Sequence, residues 1–103
     1  MKLRHVGFPT EMTHADETLL EDAGVYVTDP EADPYMIEWL RFLPDSPMPK
    51  ELKAGAHLAF EVDDLAAALE GKDILIEPFS PAEGVRIAFI LHEGVPVELM
   101  QAS

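Results

Sequence analysis

Apolar and polar positions alternate most regularly in the second half of the chain. His57-Leu58-Ala59-Phe60-Glu61-Val62 reads as a strand, with Leu58, Phe60 and Val62 on one face and His57, Ala59 and Glu61 on the other. Asp63-Asp64-Leu65-Ala66-Ala67-Ala68-Leu69-Glu70 reads as a short helix, with Asp63 or Asp64 as N-cap and Gly71 as stop signal. Strands follow over Ile74-Leu75-Ile76-Glu77, Val85-Arg86-Ile87-Ala88-Phe89-Ile90-Leu91 and Val95-Pro96-Val97-Glu98-Leu99-Met100. Turn residues at 80–84 and 92–94 separate them. The predicted order is βαβββ.

The first half repeats that order with less material. Residues 3–8 predict a strand, 13–23 a helix closed by Gly24, 25–28 a strand and 35–42 another. Too few positions lie between Gly24 and Phe42 for three strands and their turns. One strand is therefore expected to be missing or very short, which leaves the first module a strand short. Pro44-Asp45-Ser46-Pro47-Met48-Pro49 can join neither a helix nor a central strand, and it divides the chain into a module over about 1–50 and a second over about 51–103.

The two halves also echo one another residue by residue. Arg4-His5-Val6-Gly7-Phe8 is matched by Ala56-His57-Leu58-Ala59-Phe60, and Ile37-Glu38-Trp39-Leu40 by Val97-Glu98-Leu99-Met100. Each copy holds one histidine and one glutamate. Strand alternation sets His57 and Glu98 on the face away from the helix, sets His5 with Leu3 and Gly7, and leaves Glu38 between apolar neighbours on both faces. A carboxylate in such surroundings costs several kcal/mol unless something compensates it. Two imidazoles and two carboxylates brought to one place are the outline of a metal site.

Composition narrows the classes of partner. A chain of 103 residues with 48% hydrophobic content matches one ordinary domain with one core. A net charge of −13 opposes attraction to nucleic acid or to an anionic membrane surface. With no cysteine, thiolate metal sites, disulfides and Cys nucleophiles are excluded together. No stretch approaches the roughly 20 apolar residues of a membrane span, and the first residues run directly into a strand pattern, so the expected location is the cytoplasm. No phosphate loop, Ser-His-Asp signature or basic nucleic-acid patch is found.

The run from His57 to Leu65 and the closing Val97-Glu98-Leu99-Met100 resemble the glyoxalase / bleomycin resistance / dioxygenase superfamily, the vicinal oxygen chelate proteins. That resemblance implies an α+β fold in which two paired βαβββ-type modules form a cup-shaped sheet. It also implies metal ligands from the first and last strands of each module, positions filled here by His5, Glu38, His57 and Glu98. A divalent ion (Zn, Ni, Co, Mn or Fe) held by these four would keep open positions for a substrate with two neighbouring oxygens. By the same resemblance the last-strand glutamate, Glu98, moves the proton in an isomerase or lyase step on a small carbonyl compound. Two alternatives share the cup: a small-molecule binding protein of the bleomycin-resistance type, which does not need the four ligands, and an extradiol-type dioxygenase, whose Fe(II) takes two His and one carboxylate. The implied partner is a small molecule. Open strand edges in the shortened first module further predict a homodimer.

Other conspicuous residues have plainer readings. His14 and His92 fall in a helix start and a turn and read as solvated, with His14 able to border the pocket. Glu61, Asp63 and Asp64 read as caps for the helix. Glu77 reads as a solvated edge residue, and Arg86 as the partner of a neighbouring carboxylate or, alternatively, an anchor for an anionic substrate group. Trp39 and Phe42 read as core or pocket lining.

Overall fold

A computed structural model describes residues Met1–Ala102 and divides the chain into two compact units. One holds Met1–Arg4 with the chain from His57 onward, and the other holds His5–Ala56. The first strand, β1 (Lys2–Pro9), begins in one unit and continues into the other.

The unit beginning at His57 contains the strands β5 (His57–Glu61), β6 (Asp73–Ala82), β7 (Val85–His92) and β8 (Val95–Ala102). They are ordered β5-β8-β7-β6, with β5 and β8 parallel and the rest antiparallel. Helix α2 (Leu65–Leu69) starts where Asp64 leaves helical geometry and accepts the Ala67 N–H at 3.2 Å. The first helical N–H, of Leu65, donates to Gln101 Oε1 at 2.6 Å, which ties the helix to β8. Leu65 and Leu69, four positions apart and so on one helix face, pack with Ala88, Ile90 and Leu99, and Phe60, Val62 and Val97 flank them. This is the expected apolar face. β7 is buried on both sides from Ile87 to Ile90, as a central strand should be. The β7–β8 turn is Glu93-Gly94, both with positive φ (48° and 86°), the backbone that a tight two-residue hairpin needs to match strand twist. β6 pairs only with β7 among the described strands, and its register slips repeatedly along a stretch that contains Pro78 and Pro81, residues that an edge strand accommodates. It runs on to Ala82, so the turn expected over 80–84 shrinks to Glu83-Gly84.

The other unit holds β2 (Thr18–Leu20), β3 (Val25–Val27), β4 (Ile37–Phe42) and most of β1, ordered β2-β3-β4-β1, with β1 and β4 parallel. Between Gly24 and Phe42 only β3 and β4 form, as the shortage of positions there required, and the module's remaining strand, the three-residue β2, lies before Gly24. The helix expected over 13–23 is not formed. Its apolar side would present Ala15, Leu19 and Ala23, too little area to hold a helix on a sheet. Three other arrangements win instead: the Glu17 carboxylate is taken by Arg41, Leu19 and Leu20 pair with Tyr26 and Val25, and only Glu21–Ala23 winds, as one 3-10 turn. Gly24 closes that turn at φ 62°, and its N–H bonds to the Leu20 and Glu21 carbonyls at 2.9 and 3.2 Å. An unforeseen helix, α1 (Lys50–Ala54), follows the proline loop and buries Leu52. The α+β class holds throughout.

Candidate metal centre

Each unit brings one histidine and one glutamate together, and both do so by the same strand register. In the unit starting at His5, β1 and β4 align Val6 with Ile37, Gly7 with Glu38 and Phe8 with Trp39. In the other, β5 and β8 align Leu58 with Val97, Ala59 with Glu98 and Phe60 with Leu99. The glutamate therefore stands across from the residue two places after the histidine, on the same face. That residue is Gly7 in one unit and Ala59 in the other, so the space between imidazole and carboxylate stays open. His5 Nε2 lies 3.4 Å from Glu38 Oε1, and His57 Nε2 lies 3.3 Å from Glu98 Oε1.

Burial raises the cost of leaving these groups without compensation. His5 is 5% exposed, His57 2% and Glu98 7%, while Glu38 is half-buried. The His57 ring also meets the edge of Phe89 at 5.5 Å between centroids, which fixes its plane. Phe89 pairs with Glu98 across β7 and β8 and so shares its face. Neither this phenylalanine nor the two small residues drew attention in the sequence, although the alternation of β7 carries the signal for the first.

The donor chemistry fits a divalent cation. Two donor atoms each about 2.1 Å from one ion, and separated by roughly 90–110°, stand about 3.0–3.4 Å apart. Both His–Glu separations lie in that range, longer than the usual charged N–H···O contact. Imidazole with carboxylate suits the borderline and harder divalent ions, in keeping with a chain that has no cysteine.

The remaining singled-out residues lie elsewhere. Of the expected helix caps only Asp64 caps; Asp63 is exposed, and Glu61 meets Arg4 at 3.4 Å. Arg86 pairs in register with Gln101, between Val85 and Ile87, so it points to the helix side of the sheet, away from Glu98. Among the described residues it forms neither the expected ion pair nor an anchor beside the glutamate. Glu77 is exposed on β6, and His92 is exposed beside Glu93. His14 is not fully solvated: its ring stacks on Trp39 at 5.9 Å and 12°, and Phe8 meets Trp39 at 5.8 Å with its ring tilted by 39°. Trp39 alternates with Glu38 along β4, so this stack covers the opposite face of the sheet, where α2 lies in the other unit. The loop has taken the helix's place. Beside it Arg41 lies 4.2 Å over the Tyr26 ring and hydrogen-bonds Glu17, which holds the Glu17 carboxyl below the ordinary carboxylate range and raises Arg41.

No family model matches the chain, and no curated protein matches it. Solved structures do. A hypothetical protein of Bacillus halodurans C-125 is similar at 22% identity and a TM-score of 0.72, covering 99% of this chain and 94% of that one. The methylmalonyl-CoA epimerase of Mycobacterium tuberculosis is similar at 25% identity and a TM-score of 0.70, covering 99% of this chain and 88% of its own. With strand orders and registers that repeat between the units, this likeness gives the chain the α+β vicinal oxygen chelate fold, and it supports a place in that superfamily.

Proposed function

We propose that the chain is a metal-dependent, glyoxalase-like enzyme, an isomerase or lyase, acting on a small carbonyl compound with neighbouring oxygens. The carrying observation is the buried His–Glu pair that occurs twice at one register. The similarity to an epimerase supports the reaction class, since an epimerase inverts a carbon centre, and next to a carbonyl that inversion needs only removal and return of a proton. In this reading His5, Glu38, His57 and Glu98 hold one divalent ion. When bound, the ion supplies Lewis-acid polarisation of the substrate's oxygens.

The chain's own residues do the rest. His5 and His57 act as neutral donors, because an imidazole nitrogen binds a cation only through its free lone pair. Phe89 holds the His57 ring in one plane and keeps water from that side. Glu98 Oε1 faces His57, which leaves Oε2 to accept the substrate's α-proton and return it. Glu38, its counterpart, balances charge.

Metal analysis with melting curves tests this. Protein purified without added metal should contain one divalent ion per chain, and EDTA should lower its melting temperature by at least about 5 °C, because binding to the folded state alone is lost. An unchanged melting temperature together with no stoichiometric metal would sink the four-ligand reading and favour a binding module.

A further inference from the structure

The strand faces that carry the two His–Glu pairs hold no cation. In the unit starting at His57, register places Ile87, Phe89 and Leu91 of β7 and Pro96 and Met100 of β8 on the face of Glu98, with Phe79 of β6 paired to Ile87. In the other unit, Leu40 and Phe42 share the face of Glu38, and Val27 and Val25 pair with them. The seven basic residues lie elsewhere. Lys2 and Arg4 alternate with Leu3 and His5 along β1, and Arg4 meets Glu61. Arg41 lies on the opposite face of β4, over Tyr26 and against Glu17. Arg86 is on the helix side of β7, Lys53 donates to the Ser46 carbonyl at 2.6 Å, and Lys50 and Lys72 are exposed outside the strands.

The donor set adds nothing positive. Two carboxylates and two neutral imidazoles cancel the charge of a divalent ion, and the chain as a whole, those two carboxylates included, carries −13. An anionic group on a ligand would therefore find apolar side chains and a repelling field, with no guanidinium or ammonium to receive it. Resting on the metal-centre reading above, we infer that this site takes an uncharged, largely apolar small molecule with two neighbouring oxygens, of the α-hydroxyketone class, and rejects substrates tagged with an anionic carrier such as a coenzyme A thioester or a glutathione conjugate.

A matched pair of probes decides the matter: 2-hydroxyacetophenone, and the same molecule with a carboxylate at the para position of its ring. Zinc uptake is measured first, by calorimetry on the purified full chain, and both probes are then titrated into the zinc-loaded protein at low salt. The neutral probe should bind at least about tenfold more tightly, and added salt should narrow the gap by screening the repulsion. Phe79→Arg, at a side chain already 37% exposed on the pair-bearing face of β6, should recover binding of the carboxylate form while leaving zinc affinity unchanged. Stoichiometric zinc with equal or tighter binding of the carboxylate probe, or with no binding of either, would overturn the inference and leave the metal centre standing. No zinc uptake would overturn both.

Discussion

Glu98 is given two tasks, holding a cation and moving a proton, and a single substitution separates them. Glu98→Gln keeps the shape of the side chain, its place across from Ala59 and one oxygen donor, but an amide cannot act as a base near neutral pH. The variant should fold, bind metal with modest loss, and fail to exchange the substrate's α-proton with deuterated solvent, as followed by NMR. His5→Ala and His57→Ala should instead lower metal affinity by more than the roughly tenfold to hundredfold typical of groups that only support a ligand. Exchange at the wild-type rate in Glu98→Gln would place the base at another carboxylate. A second residue-scale consequence concerns acid. Because Arg41 holds the folded-state pKa of Glu17 below its ordinary value of 4.5, this pair stabilises the fold fully above that value. The contribution fades as the pH falls below 4.5 toward the lowered pKa. Arg41→Met should make the melting temperature less sensitive to pH across that window, and an unchanged pH profile would show that the pair is energetically silent.

At the scale of elements, the two modules differ in what covers the face opposite the histidines. One face carries α2, built on Leu65 and Leu69, and the other carries the loop whose His14 stacks on Trp39. The first was legible in the sequence. Two leucines four apart, an aspartate before them and a glycine after them define a helix, and strict alternation in β5 and β8 assigned His57 and Glu98 to the far face. The second was not, because residues 13–23 have acceptable helix composition and nothing local reports that Glu17 will be claimed by Arg41 from β4. The long-range contact decided the local structure. Gly24 was read correctly as a stop, although of a 3-10 turn, and it allows a direct test. With φ at 62° and an added Cβ only 2.9 Å from the Ser46 backbone, Gly24→Ala meets both strain and a clash that the backbone must absorb. It should cost about 1–3 kcal/mol by denaturant unfolding, whereas Gly71→Ala, at φ 71° with open space around it, should cost less. Equal losses at the two positions would show that backbone strain, and not the approach of Ser46, sets the penalty.

For the whole molecule, charge and exposed apolar surface pull in opposite directions. Each chain carries −13, so two copies repel, while Leu3, Met12 and Tyr35 leave between 52% and 79% of their surfaces in water. Apolar burial does not depend on simple charge screening, whereas the repulsion is cut sharply once the Debye length falls to about 8 Å at physiological ionic strength. Among the described residues no helix is long and apolar enough to cross a membrane. A second copy of the chain is the expected cover, and the balance of forces gives that dimer a specific salt response. Light scattering at micromolar concentration should report a mass near twice the 11.4 kDa chain at about 150 mM salt, shifting toward the single-chain mass as salt is removed. A mass that stays at 11.4 kDa at every ionic strength would exclude the dimer. One that rises as salt is removed would mean that ion pairs, and not apolar contact, hold the copies together.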